Sequence, residues 1–414
     1  MDNKESKVEQ SYTAKTSRRS FLKTGAAVAG AAMIGSAVKA SSASAATQSN
    51  PEGATSLKTV VARPDLYFYP GEELASDEMR VTILGSGWGN IVRRAQAACS
   101  IFVELGNGDS FVFDMGQGTM INYNSLNIPY SRMAKMFFTH LHMDHMTDLA
   151  ALYCFGPSGG DRFTPLELWG PSGQKPELGL NSVIEGLKQF TKWHTVSFET
   201  CVPVDRAYEI ETHELDYRKN PGIAYQKNGV TIKHWPALHI IDGAISYRLD
   251  WNGMSFVWSG DTNPNHFFVD NAKGADIILH ETAPIAARFA QAANVPKKIA
   301  DNIIAASHTP AKAYGKVLSL TKPNLAVTNH CPIDAQEITE IVKDISVHWK
   351  GPYQVGQDFM VFNISKGKKE ILVRQAAVND RSWSPNVEKA KGKIPLNPAD
   401  YRSKTIFGKE IKDY

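Results

Sequence analysis

Met136-Phe137-Phe138-Thr139-His140-Leu141-His142-Met143-Asp144-His145 decides the fold and the chemistry of this chain. The apolar run before Thr139 reads as a short buried strand, and the residues after it supply three imidazoles and one carboxylate. A strand that ends in a tight turn delivers several side chains to one point. Such a nitrogen-rich set with a carboxylate suits Zn²⁺, with iron or manganese as alternatives. Alternation along a strand or turn assigns His140 and His142 to one ion and Asp144 and His145 to a second. Two ions held close together clamp a bridging hydroxide, which makes hydrolysis at a phosphorus, sulfur or carbonyl centre the expected chemistry.

Outward from this point, short β-branched and aromatic runs recur and predict strands at 81–84, 101–105, 111–113, 136–139, 166–169, 230–233, 245–249, 256–258, 277–279 and 325–328. Helical patterns fall between some of them, at 147–154, 180–191, 309–320 and 335–345. Strands in two clusters with interspersed helices predict an α+β fold of two packed sheets covered by helices. Leu249 to Trp258 reads as a hairpin turning on Asn252-Gly253.

The ends of the chain carry different information. Ser17-Arg18-Arg19-Ser20-Phe21-Leu22-Lys23 precedes a weakly apolar run, Gly25 to Val38, and the small-residue site Ala43-Ser44-Ala45. This pattern predicts a twin-arginine signal peptide over 1–45, with the twin-arginine translocase as the partner in export and a periplasmic or secreted mature protein. The apolar run is shorter than the ~20 residues of a spanning helix, and no later stretch predicts a membrane span. Residues 46–78 read as linker and lead-in, 79–370 as the catalytic domain and 371–414 as a C-terminal extension that wraps the surface, shapes the cleft mouth or makes a dimer contact.

With 414 residues, 43% hydrophobic and 21% charged, the chain is long enough for a substantial core. Its net charge of +3 is dispersed and gives no nucleic-acid footprint. Cys99, Cys154, Cys201 and Cys331 are widely spaced, without the CxxC pairs of a thiolate metal knuckle. Gly85-Ser86-Gly87 lacks the third glycine of a dinucleotide loop; Ser86, Asn90 and Arg94 are candidates to line a cleft.

The sequence resembles the metallo-β-lactamase superfamily, and within it the ribonuclease Z and arylsulfatase-like branch, over about 79–335. The stations that match in order are Leu84-Gly85-Ser86-Gly87, Phe113 to Thr119, Thr139 to His145, Trp169 to Gly173, Ser259-Gly260-Asp261-Thr262, His280-Glu281-Thr282, His308-Thr309 and Thr328-Asn329-His330. The resemblance implies a four-layer αββα sandwich. It further implies one ion on His140, His142 and a third histidine, another on Asp144, His145 and His330, and Asp261 bridging both. The third histidine is read as His239, nine residues before Arg248, with His234, inside a strand pattern, as its competitor. Asp114 would orient the ligand loop. His308, held by Glu281, would serve the leaving group, Asp144 would also handle the attacking water, and His280 would be structural.

The expected function is hydrolysis of a small-molecule ester, such as a sulfate ester, phosphodiester or lactone, with two zinc ions and no nucleic-acid partner. Ribonuclease Z-type action on RNA is the alternative; it is opposed by the export signal and by the tight Asn252-Gly253 hairpin, where tRNA-processing relatives carry a basic arm. A catalytically silent envelope protein would show eroded ligand positions, whereas every station here is filled. A diiron redox role is opposed by His142, where such enzymes carry Glu.

Overall fold

The computed structural model describes residues 59–89, 93–159 and 161–378. The signal peptide, the first part of the lead-in, Asn90 and the extension from 379 onward lie outside the described residues. The strands, in chain order, are β1 Thr59–Phe68, β2 Glu78–Gly85, β3 Ser100–Leu105, β4 Ser110–Phe113, β5 Lys135–Phe137, β6 Leu166–Pro171, β7 Ile210–Leu215, β8 Gly222–Lys227, β9 Val230–Pro236, β10 Ile245–Trp251, β11 Met254–Trp258, β12 Ile277–Glu281, β13 Leu325–Asn329, β14 Tyr353–Val355, β15 Met360–Ser365 and β16 Glu370–Ala376. They form a nine-stranded sheet in the order β1-β16-β15-β2-β3-β4-β5-β6-β7 and a seven-stranded sheet in the order β14-β13-β12-β11-β10-β9-β8.

Side-chain alternation explains why these two sheets need helices on both outer faces. Val81 and Ile83, Ile101 and Val103, and Phe111 and Phe113 point into one apolar cluster, which they share with Tyr247, Phe256, Trp258 and Leu279 from the other sheet. The intervening Phe102, Val112 and Met136 point the opposite way, onto helices Thr119–Ser125, Leu149–Ser158 and Leu180–Glu199. Val257, Ile278 and Ala326 do the same on the second sheet, beneath helices His266–Ala272, Ala311–Thr321 and Ala335–Ile345. Strands buried on both faces read as unbroken apolar runs. The result is the αββα sandwich, with one core between the sheets and one under each helical layer.

The β10–β11 hairpin closes on Asn252 and Gly253, both at positive φ, as its two-residue turn requires. All ten expected strands are present. Six further strands, β1, β7, β8, β14, β15 and β16, accompany them, and two of these extend past the expected limits of the catalytic domain. β1 lies in the stretch read as lead-in, and nearly all of β16 in the stretch read as extension; they pair in parallel at one edge of the large sheet. The pairing tolerates a register shift between Ala62 and Tyr67, around Arg63-Pro64-Asp65, a sequence that reads as a strand break. β7, with the charged sequence IETHEL, is the other edge.

Both sheets have a block of parallel strands: β4 to β7 in one, β11 to β14 in the other. The stations of the sequence leave these blocks at their C-terminal ends: Asp114 after β4, His140 to His145 after β5, Asp261 after β11, Glu281 at the end of β12 and His330 after β13.

Candidate metal centre

The turn after β5 is tied to both sheets before it reaches its first imidazole. Phe138 N–H donates to the Trp169 carbonyl at 2.8 Å, and Ile245 N–H to the Thr139 carbonyl at 2.9 Å. The Asp114 carboxylate then accepts from Thr139 N–H at 2.8 Å. Four residues, Met143–Met146, make one helical turn behind His142, and Met115 N–H closes onto the His145 carbonyl at 2.6 Å. Gly116 permits this approach, because a Cβ there would lie 2.0 Å from the Asp144 carbonyl oxygen.

Two groups of donor atoms result. His140 Nε2 and His239 Nε2 lie 3.0 and 3.2 Å from His142 Nδ1. His330 Nε2 lies 3.2 Å from His145 Nε2 and 3.3 Å from Asp144 Oδ2. Asp261 stands between the groups with its two oxygens divided. Oδ1 is 3.3 Å from His145 Nε2 and 3.4 Å from His330 Nδ1; Oδ2 is 3.9 Å from both His140 Nε2 and His239 Nε2. An ion about 2 Å from each of two nitrogens at a tetrahedral angle separates them by about 3.3 Å, so this spacing fits a divalent metal.

The surroundings aim these atoms. His239 Nδ1–H donates to the Ser307 carbonyl at 2.7 Å, which turns Nε2 inward. Asp114, buried and at positive φ, accepts from Thr139, from Trp258 Nε1–H at 2.8 Å and from His145 Nδ1–H at 3.0 Å, so Nε2 of His145 also points inward. Imidazoles held through the far nitrogen in this way are a recurrent companion of metal ligation. His330 adopts positive φ, a conformation costly for a non-glycine residue and concentrated at functional sites.

Charge follows the same logic. Burial, reinforced by His145, holds His140 well below the usual imidazole range, and burial lowers His239 to about 4, so both present neutral nitrogens. Burial would likewise lower His145, but the carboxylates of Asp261, Asp114 and Asp144 override it and make that position favour positive charge. Burial alone would raise Asp144 and Asp261; neighbouring histidines keep both in the carboxylate form.

His308 lies beside the centre, with a ring nitrogen within 4.8 Å of donor atoms of His239 and Asp261. Its Nδ1 is 3.9 Å from Asp261 but 3.2 Å from both oxygens of Glu281, which commits that nitrogen to Glu281. Burial opposes its protonation, yet Glu281 raises its pKa to about 9. Glu281 is itself fully buried and also accepts from Thr262 N–H and Thr309 N–H.

The seven expected ligand positions and the His308–Glu281 pair are thus gathered in one place. His234 is elsewhere, within β9 and against Gly222, so His239 is the histidine that joins the cluster. His280 packs between Phe268 and Tyr314 in the outer core. His213 stacks on Trp169, and His194 on Phe198, away from the cluster. Ser86 bonds to Asp358 instead of lining the cleft, and all four cysteines are free. Sequence reasoning missed Trp88, whose ring centre is 5.3 Å from that of His308, and Asp358, which ties Ser86, Ala97 and Asn122 together below it. Neither residue has a local signal; each acts only through the folded loop.

The family described as anti-Pycsar protein Apyc1 matches residues 79–321, well over half of the chain. The chain belongs to the anti-Pycsar protein Apyc1 family. In this Apyc1-family chain a twin-arginine signal sequence matches residues 15–35, which marks it for export across the cytoplasmic membrane. Among curated relatives, ribonuclease Z of Brevibacillus brevis is 26% identical over 238 residues, 49% of this chain and 73% of that protein. Among solved structures, the metallo-β-lactamase fold protein YhfI of Bacillus subtilis superposes with a TM-score of 0.51 at 16% identity, over 69% of this chain and all of YhfI. The short form of human tRNase Z gives 0.51 at 19% identity, over 68% of this chain and 98% of the other. The Apyc1-family chain therefore has the metallo-β-lactamase fold and is a metal-dependent hydrolase related to ribonuclease Z. Among the described residues no helix is long and apolar enough to cross a membrane.

Proposed function

We propose that this Apyc1-family chain is a two-metal hydrolase of small-molecule esters that works in the periplasm or outside the cell. His140, His142 and His239 would hold one ion and Asp144, His145 and His330 the other, with Asp261 facing both. The observation that carries this reading is the division of the Asp261 oxygens between two histidine groups. Zinc fits the donor set best; iron and manganese accept the same ligands. When bound, such ions supply Lewis acidity and lower the pKa of a water molecule.

The protein's own groups divide the remaining work. Asp144, ionised and partly open to the cleft, would accept a hydrogen bond that orients the attacking water. His308, protonated through its bond to Glu281, offers Nε2–H to the leaving oxygen. Asp114 and Ser307 hold two ligand rings in place.

Among the ester classes we favour a phosphodiester over a sulfate ester or lactone, because the curated relatives are named as ribonucleases. Those names also support a second reading, action on RNA. The two-residue Asn252-Gly253 turn weighs against it, since the tRNA-binding arm of the resembling enzymes would emerge there.

The test is turnover of chromogenic bis-aryl phosphodiester, aryl sulfate and lactone substrates, with an unstructured RNA as a fourth arm. Turnover of one small ester, abolished in Asp261→Ala, supports the proposal. Cleavage of RNA alone would replace it with the second reading.

A further inference from the structure

A groove of about 460 Å³ runs along the outer helical layer of the second sheet, between helices His266–Ala272 and Ala311–Thr321. Its floor is apolar, built on Val317 and Leu320. Around it stand Lys312, Lys316, His266 and His348, and among the described residues no carboxylate lines it. Both lysines are exposed, and neither has a carboxylate partner among the described residues. Asp270, which follows the lining residue Val269, is paired with Lys273 at 2.9 Å. The groove is therefore apolar below and cationic above, in a size range suited to a small ligand.

Both walls of the groove are linked to the metal centre by short stretches of chain. The chain leaves Asp261 and enters the groove wall at Pro264, and it leaves His308 and enters the facing wall at Pro310. The two segments are joined by Thr309 Oγ1–H donating to the Thr262 carbonyl at 2.6 Å. Asn265 reinforces the junction, donating to Thr262 Oγ1 at 2.9 Å while its side-chain oxygen caps the helix at Phe268 N–H.

We infer that this groove is an accessory binding site for a small amphiphilic anion, with a carboxylate or phosphate head between Lys312, Lys316 and His348 and an apolar chain over Val317 and Leu320. An occupant rests against the two segments that carry Asp261 and His308. Charge complementarity decides the class of ligand. A neutral amphiphile leaves the lysines without a partner, and a bare anion leaves the apolar floor uncovered.

Calorimetric titration of the full-length, metal-loaded protein with sodium decanoate, below the concentration at which it forms micelles, tests the assignment. Decanol and inorganic phosphate are the comparison ligands, and decyl phosphate distinguishes the two head groups. Saturable one-to-one binding of decanoate or decyl phosphate is expected. Binding should weaken at least tenfold for decanol, for phosphate and in a Lys312→Glu/Lys316→Glu variant. Lys312→Ala/Lys316→Ala provides a milder change should the charge reversal disturb the helix. Non-saturating uptake, or equal affinity for decanoate in the wild type and the alanine variant, would overturn the assignment.

Discussion

The Asp114 carboxylate lies 3.0 Å from His145 Nδ1, on the side of the ring away from Asp261. That contact fixes which nitrogen of His145 faces the centre, and the same carboxylate accepts from Thr139 and Trp258. Asp114→Asn keeps the size but puts an amide N–H₂ where donors already point. Stability should fall by about 1–3 kcal/mol from the unpaired buried groups. Zinc affinity, read by chelator competition, should fall by about 10–100-fold. Unchanged affinity would remove Asp114 from the orienting role.

His308 and Glu281 form a pair whose inner geometry separates proton transfer from metal holding. His308→Ala should lower kcat about 10²–10⁴-fold while the metal content per chain, measured on the same preparation, stays at the wild-type value. Loss of one equivalent of metal would instead make His308 a ligand.

His234 provides a pH-dependent stability term away from the metal site. Burial, reinforced by Lys219, lowers its pKa to about 4, below the ordinary value near 6.5. The folded protein therefore keeps this ring neutral while the unfolded chain takes up a proton. The stability it contributes is complete above about pH 6.5 and is lost as pH falls toward 4, by at most about 3 kcal/mol. In urea titrations from pH 7 to pH 4, His234→Gln should lose less stability than the wild type across that window. Parallel losses would contradict the assignment.

Gly116 is a packing constraint on the ligand loop. An alanine Cβ would lie 2.0 Å from the Asp144 carbonyl and 2.6 Å from the Ala98 Cβ. Gly116→Ala should cost about 1–3 kcal/mol through forced displacement, and because the displaced residue is Asp144, metal affinity should fall with it. A thermal midpoint equal to that of the wild type would show that the loop yields freely.

The parts legible in the sequence were those whose signal is local. β5 and the motif after it are an apolar run followed by dense ligand types. Asp261 and His330 close short apolar strands of the second sheet, and the helix Ala335–Ile345, capped by Asp334, has a clear apolar period. The parts that escaped depend on partners distant in the chain. β1 is a strand because β16 lies beside it, despite Pro64, and β7 keeps its charges by lying at an edge. Trp88 faces His308 through a loop that Asp358 anchors from 272 residues further on, and no spacing rule connects those positions. His239 is favoured over His234 by its spacing before Arg248, and the turn of the chain after Pro236 leaves His234 beside Gly222 and His239 against Ser307.

The central claim is that two metal ions share Asp261, and the direct measurement is metal content per chain, by elemental analysis, for wild type and Asp261→Ala reconstituted with zinc and desalted together. About two zinc ions per wild-type chain, falling to one or fewer in the variant, is the predicted result. A wild-type chain that retains no zinc, or a variant that keeps the full wild-type complement, would contradict it.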